Sequence, residues 1–162
     1  MVTFDKPATL VALSNLVSQE RSQILPSSVK TAHVAHYSLP AFDSGQLPEV
    51  CAPASIKSGK FLFSGEAVLF SKLNLVTPRV WNVIVDPRME ALASTEFLVL
   101  KSRGEVTAAE IWAICSQASF TENLLEKSTG TSNSPWLQPV EAFDVGCSVG
   151  QDTRCARNVG VG

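Results

Sequence analysis

The sequence predicts a mixed fold in which a run of strands is followed by paired helices. Three observations carry this. Residues 60–101 are dense in aromatic and β-branched side chains broken by short polar turns. Two helix-start signatures follow, at Thr107-Ala108-Ala109-Glu110 and Ser119-Phe120-Thr121-Glu122. Hydrophobic residues make up 45% of the 162-residue chain and charged residues 17%, which supplies a packed core and excludes general disorder.

Taken in order, the segment from Pro7 to Ser22 reads as a helix. Leu10, Leu13, Leu16 and Val17 recur at helical spacing, Pro7 suits a first turn, and Pro26 stops the run. From Val29 to Ser58, Pro40, Gly45, Pro48 and Pro53 predict extended pieces and turns. Phe61-Leu62-Phe63 and Ala67-Val68-Leu69-Phe70, separated by Ser64-Gly65-Glu66, predict a hairpin. Arg79 to Val85 is a strand stopped by Asp86-Pro87, and Glu96 to Lys101 is another, stopped by Gly104. The helix after Thr107 places Ile111, Ile114 and Cys115 on an apolar face. The helix after Ser119 carries Leu124 and Leu125 and ends near Lys127, ahead of Gly130. Ile111 or Trp112, with Leu124 and Leu125, are the expected contacts between helices and sheet. Residues 146–162 show neither a helical nor a strand period.

Composition narrows the chemistry. The formal net charge is −2, so bulk positive charge cannot hold the chain to a polyanion and any basic surface must be local. Residues 56–103 carry seven basic side chains (Lys57, Lys60, Lys72, Arg79, Arg88, Lys101 and Arg103) against four acidic ones, a net of +3. Residues 104–162 carry three basic against seven acidic, a net of −4. The strand region is therefore the expected polyanion face. No apolar run reaches the ~18 residues of a membrane helix, and Met1 to Lys6 carry no basic cluster ahead of an apolar stretch, so a secretory signal is not expected. Cys51, Cys115, Cys147 and Cys155 form no C-x-x-C pair, so reduced thiols in a cytoplasmic protein are expected.

A catalytic or cofactor site is not expected. His33 and His36 are the only histidines and have no nearby third ligand in sequence, so the expectation is no metal site. Cys115 lies on an apolar helix face, as a buried structural thiol does. Ser58-Gly59-Lys60 lacks the leading glycine and the Ser/Thr of a phosphate loop. Polar residues between strands remain. Lys72 and Arg79 flank a loop where they can hold phosphates, and Asn74 within it can meet a base edge. Small hydroxyl residues around Gly130 (Thr129, Thr131 and Ser132) allow close backbone approach to a phosphate. On composition alone, an ordinary hydrophilic turn and a helix-terminating linker are the favoured readings of these stretches.

Four motifs in order resemble one family. Leu69-Phe70-Ser71-Lys72-Leu73-Asn74, Arg79-Val80-Trp81, Ser94-Thr95-Glu96-Phe97-Leu98-Val99-Leu100 and Thr129-Gly130-Thr131-Ser132 resemble segments of target recognition domains in type I restriction–modification specificity subunits. The resemblance spans roughly Leu10 to Asp144. It implies an α+β fold, a twisted and largely antiparallel sheet region packed with helices. It implies one target recognition domain over residues 1–145, followed by an irregular tail over 146–162 in place of a long spacer helix. It implies sequence-specific recognition of double-stranded DNA as a half-module without catalysis or cofactor. Methylation and cleavage then belong to methyltransferase and restriction subunits of the complex. The implied DNA-binding residues are Lys57, Lys60, Ser71, Lys72, Asn74, Arg79, Thr129, Gly130, Thr131 and Ser132. Pro135-Trp136-Leu137 stands where the family carries a basic stretch. That departure frames the alternative: a truncated or vestigial domain that keeps the fold as a protein-interaction module.

Overall fold

The computed structural model of the chain describes residues 9–128 and 146–149. In chain order these form β1 (Thr9–Ala12), α1 (Leu13–Leu16), β2 (Val17–Glu20), β3 (Gln23–Ile24), β4 (Val34–Tyr37), α2 (Leu39–Asp43) and β5 (Glu49–Cys51). Then come β6 (Lys60–Phe63), β7 (Glu66–Ser71), β8 (Val80–Ile84), β9 (Glu90–Ser94), β10 (Phe97–Ser102), α3 (Ala108–Cys115), α4 (Ala118–Ser128) and β11 (Gly146–Val149). The arrangement is α+β, with largely antiparallel sheets, as expected.

Three layers result. A four-stranded antiparallel sheet in the order β2-β10-β7-β8 lies in the middle. On one face Val68, Phe70, Leu98 and Leu100 pack with Ile111, Ile114, Phe120 and Leu124 of the helices. On the other, Ala67, Leu69, Trp81, Phe97 and Val99 meet Ala35, Tyr37, Phe63, Ala91 and Ala93 of a five-stranded sheet. That sheet runs β3-β6-β9-β4-β5, with β4 and β9 its parallel pair. Burial on both faces explains why β7 and β10 read as continuous apolar runs rather than alternating ones. The alanines of β4 and β9 leave room for rings: Tyr37 meets Trp81 edge-on at 5.0 Å and Phe63 at 5.3 Å.

Several expectations hold. β8 and β10 lie where the apolar runs placed them. The capping box at α3 is complete: Thr107 Oγ1 accepts from the Glu110 N–H at 3.1 Å, and the Thr107 N–H donates back to the Glu110 carboxylate. Ile111, Cys115 and Leu124 are fully buried, while Trp112 is 42% exposed and donates its indole N–H to the Val80 carbonyl.

Others are corrected. The helix expected over Pro7–Ser22 is, among the described residues, a single turn, α1, between two strands. A short isolated helix is marginal. Pairing β2 with β10 buries Val17 while the one-turn α1 still buries Leu13 and Leu16. The hairpin expected of Phe61–Phe63 with Ala67–Phe70 does not form. β6 pairs with β3 and β9, whereas β7 pairs with β10 and β8 in the other sheet. The chain changes sheet at Gly65, whose φ of 68° suits glycine and whose carbonyl accepts from the Val85 N–H. β9 was not anticipated, because Ala91 and Ala93 carry little strand propensity and are selected by sheet packing instead. Within 29–58 the extended pieces are β4 and β5. Helix α2 is additional, capped by Ser38 Oγ accepting from the Ala41 N–H. Helix α4 starts at Ala118, so Ser119 lies in its first turn rather than at its cap. Finally, 146–149 of the expected irregular tail form β11, antiparallel to β1.

Candidate nucleic-acid interface

The topology gathers five of the ten expected DNA-facing residues, Lys60, Ser71, Lys72, Asn74 and Arg79, at one end of the sandwich. There β4, β7 and β9 finish while β6, β8 and β10 begin: Ser71 lies opposite Phe97, Phe70 opposite Val80, Lys60 opposite Ser94, and Tyr37 beside Ala93. Helix α2 follows β4 at this same end.

The β7–β8 loop is firmly built. The Ser71 N–H donates to the Arg79 carbonyl at 3.0 Å, the Lys72 N–H to the Glu96 carbonyl at 2.9 Å, and the Thr77 N–H to the Asn74 carbonyl at 3.1 Å. Ser71 is 1% exposed, and its hydroxyl both donates to the Leu73 carbonyl and accepts from the Leu73 N–H. Its geometry is that of a loop brace. Leu75 anchors the loop in the core, while Asn74, Val76, Thr77 and Pro78 are exposed. Asn74 adopts a φ of 53°, a left-handed conformation that asparagine tolerates better than most residues. The result is an exposed tip on a braced base.

The four cations differ in their surroundings. Arg79 makes a two-pronged pair with Asp43 at the end of α2, Nε to Oδ1 at 2.9 Å and the second nitrogen to Oδ2 at 3.1 Å. Sequence reasoning missed Asp43, although Ser38 and Pro40 together are a readable helix-start signal. Lys72 is half-buried. Burial pushes its ammonium below the usual lysine value, and the Glu96 carboxylate opposes that shift. Lys60 is 8% exposed and donates to Ser58 Oγ at 2.6 Å. Lys57 is exposed and donates to the Ala54 carbonyl at 3.1 Å. Lys60, Ser71, Lys72, Asn74 and Arg79 thus share one end, with Lys57 just before β6. Thr129, Gly130, Thr131 and Ser132 lie outside the described residues.

The two histidines separate. His33 is exposed before β4, whereas His36 within β4 is partly buried. Burial, reinforced by the Lys60 ammonium, holds the His36 imidazole below its ordinary pKa, and Glu49 opposes this. No described helix is long and apolar enough to cross a membrane.

Comparison with known proteins gives a fold likeness without a sequence match. No protein-family model matches the chain, and no curated protein matches its sequence. Six chains of solved structures do match. A chain from a structural study of complex assembly and conformational transition in the type I R-M system superposes with a TM-score of 0.76 over 96% of this chain, at 14% identity. The HsdS subunit from Thermoanaerobacter tengcongensis superposes with a TM-score of 0.71 over 94%, also at 14% identity. The match covers 41% of either structure's own length.

Proposed function

We propose that this chain is a DNA target recognition module of the type I restriction–modification specificity class, without catalysis of its own. One observation carries the reading: 96% of the chain shares its fold with a chain from a type I R-M system, and the sequence motifs that resemble this class lie along that same stretch. The β7–β8 end supplies suitable chemistry. Asn74 offers both a donor and an acceptor at an exposed tip, as base-edge readout needs. Lys57, Lys72 and Arg79 hold backbone phosphates around it. Lys60 and Ser71, both buried, serve that surface from beneath by fixing the Ser58 turn and the loop base. The Thr129–Ser132 stretch adds backbone and hydroxyl donors to a phosphate. Methyltransferase and restriction subunits are the proposed partners, and the site they act on is double-stranded DNA.

The test is the salt dependence of duplex binding. Each phosphate contact removed lowers the slope of log affinity against log salt by about one. The Lys72→Ala, Arg79→Ala double variant is expected to bind more weakly with a shallower slope. Equal affinity and slope in variant and parent would refute the assignment of this face.

A further inference from the structure

We propose that His36, Glu49 and Cys51 form a binding site for a zinc-class divalent ion on the β4–β5 strand pair. The register builds it. His36 stands directly opposite Glu49, and Cys51 lies two residues along β5, on the same face of the sheet. One ligating atom from each residue lies within 4.8 Å of the other two. His36 Nδ1 lies 4.0 Å from a Glu49 carboxylate oxygen, too far for a hydrogen bond. Bonds of about 2.0–2.3 Å to a tetrahedral ion put its ligands roughly 3.3–3.8 Å apart, so small side-chain rotations close the site.

Two further features fit a metal. The donors are imidazole nitrogen, carboxylate oxygen and thiol sulfur, the set that zinc accepts and that magnesium or calcium does not favour. Nδ1 is the His36 nitrogen that faces Glu49, and Nε2, buried without a hydrogen-bond partner among the described residues, leaves the ring unpinned from its far side and able to turn toward an ion. On binding, the Cys51 thiol releases its proton to solvent, and thiolate plus carboxylate bring two negative charges to the divalent ion. The Lys60 ammonium near His36 opposes the ion with a single charge. Glu49 is exposed, so the fourth position opens to water. The site would staple β5, a three-residue edge strand joined to its sheet only through β4.

The full chain is titrated with zinc chloride and, separately, with cobalt(II) chloride, under a non-chelating phosphine reductant. Cys147→Ser and Cys155→Ser serve as the background, so that neither of those thiols contributes. One metal per chain is expected, with a thiolate-to-cobalt charge-transfer absorption that zinc abolishes. Cys51→Ser removes the absorption, and Glu49→Gln weakens affinity by about tenfold or more. Zinc also raises the melting temperature of the background protein but not that of Cys51→Ser. This second readout, with circular dichroism of each variant, separates lost binding from lost folding. Absence of the absorption, or its persistence in a folded Cys51→Ser variant, overturns the site. These readouts involve no DNA and are independent of the proposed function.

Discussion

Arg79 is held by the carboxylate of Asp43. Its pair with Asp43 leaves the arginine side chain 23% and the aspartate 52% exposed. At that exposure the pair contributes only about 0.2–1 kcal/mol, so on the proposed function a DNA phosphate competes for the guanidinium at low cost. Asp43→Asn is expected to leave folding nearly unchanged and to strengthen duplex binding. Weaker binding in a folded Asp43→Asn variant would make the pair part of the recognition surface rather than a competitor for it. A second residue reports on the core. Tyr37 is the chain's single tyrosine. Burial, and then the Asp86 carboxylate, raise its phenol above the ordinary value of 10.0. A raised folded-state pKa favours the neutral phenol. The stabilisation is therefore complete below the unfolded value and is lost as pH climbs from there through the folded one. Ultraviolet titration should show ionisation displaced upward in the folded chain, and Tyr37→Phe should blunt the alkaline loss of stability. Ionisation at the ordinary value in the native protein would contradict the buried placement.

At the scale of elements, the turn between β6 and β7 separates the two sheets. Gly65→Ala places a Cβ 3.6 Å from Lys101 Nζ, an ordinary contact, so any penalty comes from the positive φ alone. A cost of about 1–2 kcal/mol is expected in denaturant unfolding; a neutral change would mean that this turn relaxes freely. Leu124, fully buried in α4 between helix and sheet, is expected to cost about 2–5 kcal/mol on truncation to Ala. A loss below about 1 kcal/mol would show that α4 is not seated there. These two elements also mark how far the sequence could be read. Helix α3 was legible because its capping box is a local signal satisfied by four consecutive residues. The β6–β7 hairpin was misread because adjacent apolar strands look alike whether they pair with each other or diverge. Which occurs depends on β9 and β10, some thirty residues further on. The loop from Lys72 to Arg79 was legible as a loop, but its pairing with Asp43 across 36 residues was not. The His36, Glu49 and Cys51 cluster exists only through β4–β5 register, which no spacing in the chain reveals.

For the whole molecule, three layers present one end that carries Lys60, Lys72, Asn74 and Arg79 on a frame similar to that of a chain from a type I R-M system and of an HsdS subunit. The chain spans 41% of those structures. On the proposed function, this surface acts in the isolated chain without the effective-concentration gain that a second linked surface supplies. Its net charge of −2 adds no general attraction to DNA. Binding by the isolated chain is therefore expected near or beyond the weak end of the ~10⁻⁴–10⁻⁶ M range typical of non-specific contacts at physiological salt. Sequence preference, not affinity, is the property that distinguishes a recognition module. The most direct measurement is selection of bound duplexes from a randomised library at low salt, followed by sequencing. The account predicts enrichment of one short continuous motif, which Asn74→Ala relaxes while Lys72→Ala weakens binding to all sequences alike. Recovery of an unbiased library by a folded chain, at every salt concentration tested, would contradict it.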